Sequence, residues 1–107
     1  MSFDTYSDPS PESENDTGVK KVISKVQVKN SMGLHTRPAT AIVKLLQNYK
    51  CDVHFVCRKE TVNAKSILNL LILAAQKNSK ITIIATGVDA EEASAKLIEA
   101  FDNEFGE

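Results

Sequence analysis

Residues 66–87 read SILNLLILAAQKNSKITIIATG. Ser66 offers a hydroxyl at the cap position, and the apolar residues behind it predict a short helix within SILNLLILAAQK. The β-branched run KITIIATG predicts a strand that ends at Gly87. Upstream, Val22, Ser24, Val26 and Val28 alternate with Ile23, Lys25 and Gln27, which gives a first strand. Asn30, Ser31 and Gly33 then form a loop. Ala39, Ile42, Val43, Leu46 and Tyr49 share one face of a helix from about Thr36 to Asn48. Val53, Phe55 and Cys57 alternate with Asp52, His54 and Val56 in a second strand. RKE at 58–60 turns the chain into a third strand that begins at Thr61 and Val62. Downstream, Asp89 and Glu92 have the spacing of an aspartate capping box. The helix they open carries a stripe of Ala93, Leu97, Ala100 and Phe101. The order βαββαβα predicts an α+β fold: a four-stranded antiparallel sheet covered on one face by three helices.

The chain has 107 residues, of which 42% are hydrophobic and 25% charged. Those values describe one small globular domain. Asp4, Asp8, Glu12, Glu14 and Asp16 fall within residues 1–18, a stretch with no Lys or Arg. Its polar, acidic, Pro-interrupted composition predicts a disordered tail, with the folded domain at 19–107. That domain holds all 13 basic residues and a formal balance of +4, which suits anionic ligands or acidic partners. No apolar run is long enough to cross a bilayer, and the N-terminus has neither the basic start nor the apolar stretch of a secretory signal. Cys51 and Cys57 are separated by roughly 20 Å of extended chain, beyond disulfide reach. Reduced thiols fit the cytoplasm.

His35 is placed just before the helix that starts at Thr36, where Ser, Thr, Asp or Asn would cap better. Pro38 belongs in the first turn, where a missing N–H costs nothing. The free backbone N–H groups of Thr36 and Arg37 attract anions, and the helix dipole favours the neutral, nucleophilic imidazole. Arg37 adds a guanidinium fork suited to phosphate oxygens. A nucleophilic nitrogen beside a phosphate seat implies that His35 accepts a phosphoryl group. Taken alone, His-x-Arg-Pro equally fits an exposed loop histidine followed by an unrelated arginine.

GLHTRPAT at 33–40 resembles the active-site motif of HPr, the histidine-containing phosphocarrier family of the phosphoenolpyruvate-dependent sugar phosphotransferase system. The similarity continues through TVNAKSILNLL at 61–71 and ITIIATGVDAEEA at 81–93, and covers about residues 21 to 107. It implies an HPr-like open-faced β-sandwich with His35 as phosphoacceptor, through Nδ1, and Arg37 as the phosphate-stabilising arginine. Enzyme I is then the donor and the enzyme IIA domains of sugar permeases are the acceptors. The chain would be a monomeric phosphoryl-transfer intermediate, not an independent enzyme, with no cofactor, metal or membrane insertion.

Ser66 matches the serine that an HPr kinase/phosphorylase modifies in many relatives. Phosphate there would act on docking more than on folding, because its charge of roughly −2 repels an acidic partner. The helix from Ile67 onward is apolar almost all round, too much for a small domain to bury. Relatives dock their partners on this surface, so Leu68 and Leu71 are expected to lie exposed near His35, with Lys44 steering acidic partners. The chain departs from the family at Asn69 and Ala74, where several members have glycine, and in the turn Arg58–Glu60.

Cys51, His54 and Cys57 are spaced like metal ligands, but on a strand His54 points away from both cysteines. Asp89 and Glu92 are a helix cap on this reading and not a catalytic pair. RNA binding is poorly supported, since aromatic residues make up only 6% of the chain and form no stacking platform. A regulatory module of the same fold, acting through phosphorylation-dependent binding of partner proteins, is the second reading.

Overall fold

The computed structural model describes residues 20–107. The tail expected at residues 1–18 lies outside them. β1 (Lys21–Gln27), α1 (Thr36–Leu46), β2 (Asp52–Cys57), β3 (Glu60–Asn63), α2 (Ile67–Leu73), β4 (Lys80–Thr86) and α3 (Ala90–Asp102) follow in that order, and a 3-10 turn covers Glu104–Gly106. The sheet order is β1-β4-β2-β3, and each neighbouring pair is antiparallel.

Alternation decides which face of the sheet is covered. On β2, Val53, Phe55 and Cys57 are buried while Asp52 and His54 are exposed. On β4, Ile81, Ile83 and Ala85 turn the same way. The three helices bury Ile42 and Leu46, Leu70 and Leu73, and Leu97 and Phe101 in this same core. Phe55 and Phe101 meet edge to face, with ring centroids 5.8 Å apart. The opposite face of the sheet is left open, with the exposed Ile23 and His54 on either side of Ile84.

Several boundaries differ from the sequence reading. α1 stops at Leu46, because Gln47 and Asn48 turn off into a local cap in which Asn48 donates twice to the Leu45 carbonyl. β3 starts one residue early, with Glu60 paired to Cys57 across a two-residue turn. Arg58 takes a positive φ of 58° in that turn, and its guanidinium donates to the Leu73 carbonyl at the end of α2. The side chain thereby satisfies a helix-end acceptor that a glycine would leave to other partners. α2 ends sooner than the apolar run suggests, because Ala74 adopts the left-handed conformation at φ 51°.

The capping box at Asp89 is a correction. Asp89 occupies the position before α3 but makes no side-chain cap bond. Its carboxylate instead accepts the backbone N–H of Lys50 at 2.8 Å and of Cys51 at 2.9 Å, fastening α3 to the start of β2. These bonds hold the Asp89 carboxyl below its usual range. Glu92 reaches the Tyr49 hydroxyl at 3.4 Å and closes no box.

Candidate functional site

Two glycine-dependent contacts fix the loop that carries His35. Gly33 has φ 70°, and a Cβ there would fall 2.3 Å from the Ala75 carbonyl oxygen. The next residue, Leu34, is buried and donates its N–H to that same oxygen at 2.8 Å. The loop is therefore pressed onto the segment after α2, and His35 follows directly from it.

His35 is the N-cap of α1, with extended backbone angles and its carbonyl accepting from the Ala39 N–H at 3.0 Å. Pro38 is buried in the first turn, as its lack of a donor allows. The imidazole makes no capping bond to the helix. Among the described residues, no hydrogen bond engages Nδ1 or the N–H groups of Thr36 and Arg37. These amides are free donors at the positive end of α1.

The other ring nitrogen is engaged. Nε2 lies 3.2 Å from Oε2 of Glu107 and 3.3 Å from Oε1. Nε of Arg37 stands 3.9 Å from the same Oε2, its side chain 80% exposed. Asn30 donates from Nδ2 to Oε1 of Glu107 and, at 2.9 Å, to the Glu104 carbonyl. The Asn30 bond, followed by the charges of His35 and Arg37, holds the Glu107 carboxyl below its usual range. Neither Asn30 nor Glu107 is a candidate on sequence grounds. Asn30 reads as loop punctuation, and no periodicity announces the turn after α3 that brings Glu107 back to α1.

Two shallow clefts flank this centre. One, of about 350 Å³, is lined by Thr36, Arg37, Thr40, Lys44 and Glu107 among others, so Lys44 shares a wall with Arg37. The other, of about 320 Å³, joins His35 to Met32, Leu34, Leu71 and Ala75. Leu71 is thus beside His35, and Leu68 lies one turn earlier on α2, 66% exposed. Met32, 75% exposed, shares this cleft, and Ile72, 64% exposed, follows Leu71 on α2. Ser66 caps α2, its Oγ accepting from the backbone and side-chain nitrogens of Asn69, both at 3.2 Å. Seven helical residues, roughly 10 Å, separate Ser66 from the end of α2 that touches the His35 loop.

The protein-family model described as "PTS HPr component phosphorylation site" matches residues 22–103. The chain belongs to the HPr family. It is 39% identical over 98 residues to the phosphocarrier protein HPr of Chlamydia pneumoniae, covering 90% of this chain and 91% of that one. It is 40% identical over 76 residues to the HPr-like protein Crh of Bacillus subtilis, covering 71% and 89%. A solved HPr from Thermoanaerobacter tengcongensis superposes with a TM-score of 0.75 at 32% identity, over 82% of this chain and 97% of that one. The open-faced sandwich of HPr is therefore the fold of this chain.

His54 is exposed on the open face of the sheet, while Cys51 and Cys57 are buried on the core side. Burial and the Asp89 carboxylate push the Cys51 thiol up to about 11, away from thiolate reactivity. No helix among the described residues is long and apolar enough to cross a membrane.

Proposed function

We propose that the protein carries a phosphoryl group on Nδ1 of His35, taking it from phospho-enzyme I and handing it to enzyme IIA domains in the cytoplasm. The observation that carries this reading is the state of the His35 ring. Nε2 is held by the Glu107 carboxylate, Nδ1 makes no hydrogen bond among the described residues, and the residue itself caps α1, where the Thr36 and Arg37 amides are free donors. Nδ1 attacks phosphorus, the Thr36 and Arg37 amides take up developing oxygen charge, and Arg37 adds its guanidinium. Each contribution is modest, with the helix terminus supplying roughly 0.3–1 kcal/mol. A carrier needs that restraint, because a phosphate held too firmly is not passed on.

The apolar patch of Leu68, Leu71, Ile72 and Met32 beside His35 is the docking surface for both partners, and Lys44 steers their acidic rims. Ser66, at the far end of α2, is the regulatory phosphorylation site. Its phosphate places negative charge beside the exposed Ile67 and Leu68 and weakens docking without touching His35.

The test uses enzyme I and labelled phosphoenolpyruvate. Label on the protein should be stable in alkali and lost in acid, the signature of phosphohistidine. Label that survives acid, or none at all, contradicts the reading.

A further inference from the structure

We infer that Asn30 is a positioning residue for His35: its amide seats the Glu107 carboxylate so that Nε2 keeps its proton and Nδ1 presents the lone pair. The inference rests on the phosphocarrier reading and adds a residue to it.

Asn30 is a polar side chain where packing would favour an apolar one. It is 1% exposed, next in the loop to the buried core residues Val28 and Leu34. Its Oδ1 has no hydrogen-bond partner among the described residues. A buried acceptor left in that state is costly. Both protons of its Nδ2, however, are spent on one target, the turn after α3: one on the Glu104 carbonyl and one on Oε1 of Glu107. The turn is itself held against a backbone penalty, since Glu104 and Phe105 have φ of 57° and 55°. A Cβ opposes that conformation. Phe105 offsets part of this by packing edge to face on Phe101, with centroids 4.8 Å apart. Backbone bonds from Gly106 to Asn103 and from Glu107 to Glu104 close the turn, and Asn30 ties it to the loop before α1, so that Oε2 of Glu107 stands 3.2 Å from Nε2 of His35 and 3.9 Å from Nε of Arg37.

The chemistry follows from which nitrogen carries the proton. A carboxylate against Nε2 accepts its N–H and leaves the lone pair on Nδ1. In the acceptance step that pair forms the N–P bond while the donor's P–N bond breaks, and its electrons return to the donor ring. The ring of His35 becomes a cation, and its Nε2 proton stays in the hydrogen bond to Glu107. In the onward step the N–P bond breaks and the pair returns to Nδ1, so the leaving group is a neutral imidazole. Without the carboxylate, the phosphorylated ring sheds its proton more readily and would have to leave as an anion.

Asn30→Ala and Glu107→Gln test the inference in the full chain. In the wild-type protein the Nε2–H proton of His35 should give a slowly exchanging NMR signal, which each variant broadens or loses. Each variant should also slow acceptance from phospho-enzyme I and transfer to an enzyme IIA domain by about tenfold, the effect of losing a hydrogen bond to a charged group. The double variant should be no slower than the slower single one, because both act through one contact. Glu107→Gln keeps the test valid if Asn30→Ala unfolds. An Nε2–H signal unchanged in both variants, or transfer at the wild-type rate once the signal is lost, overturns the role of Asn30. A wild-type protein that takes no phosphate on His35 instead overturns the carrier reading, and the NMR signal tells the two failures apart.

Discussion

Glu107 places a carboxylate oxygen 3.2 Å from Nε2 of His35, across 72 residues of sequence. The contact divides the imidazole between two environments. Nε2 meets an acidic side chain fastened by Asn30, while Nδ1 makes no hydrogen bond among the described residues and the residue caps the amino end of α1. The helix dipole on its own is a weak device for setting a histidine's state, whereas a direct hydrogen bond selects which nitrogen carries the proton. The candidate site therefore consists of a helix start and a returning turn.

Gly33 should be intolerant of substitution. Gly33→Ala adds a Cβ 2.3 Å from the Ala75 oxygen at a backbone angle that suits glycine. Destabilisation of about 2 kcal/mol or more is expected from the clash and the strain together. Urea unfolding reads this as a lowered midpoint with an unchanged slope.

Ala74 should behave in the opposite way. It ends α2 in the left-handed region, at φ 51° and ψ 43°, with a Cβ that opposes that conformation. Ala74→Gly should stabilise the protein by about 1 kcal/mol and raise its unfolding temperature.

Asp89 should make stability depend on pH. Its carboxyl is held below the ordinary 3.8, chiefly by the Lys50 N–H and also by the Cys51 N–H and thiol. A folded-state value lower than the unfolded one means that the unfolded chain binds the proton first as the solution is acidified. The stabilisation is thus full above the ordinary value and is lost as pH falls through the depressed one. Asp89→Ala should be less stable than wild type at pH 7, and the gap should narrow below pH 3.8. A gap that stays constant on acidification contradicts the assignment.

Leu68→Ser and Leu71→Ser should impair partner recognition while sparing the fold, since both side chains are exposed. We expect KM for enzyme I to rise by about tenfold with little change in kcat. A variant with Glu at Ser66 should move KM in the same direction through its added charge.

The strands and α1 were legible because their burial follows strict periods: Val53, Phe55 and Cys57 face inward on β2, and Ile42 and Leu46 do so on α1. The place of His35 and Arg37 at the helix start was legible from the local spacing around Pro38, whereas a phosphoryl role for them came only from the family resemblance. The Asp89 cap was misjudged for a physical reason. The same carboxylate can satisfy N–H groups in its own helix or across the fold, and sequence spacing shows only the first choice. Here the Lys50 and Cys51 amides compete successfully. Asn30 and Glu107 were not legible because their relationship is purely tertiary, made through a turn of three consecutive residues with positive φ, Glu104 to Gly106, that no local pattern encodes.

Onward transfer decides whether His35 is the carrier. Wild type, His35→Ala and His54→Ala are each charged with enzyme I and phosphoenolpyruvate, then mixed with a purified enzyme IIA domain. Wild type and His54→Ala should deliver phosphate to the acceptor at comparable rates, and His35→Ala should deliver none. Transfer by His35→Ala, or its loss only in His54→Ala, would contradict the assignment of His35 as the carrier.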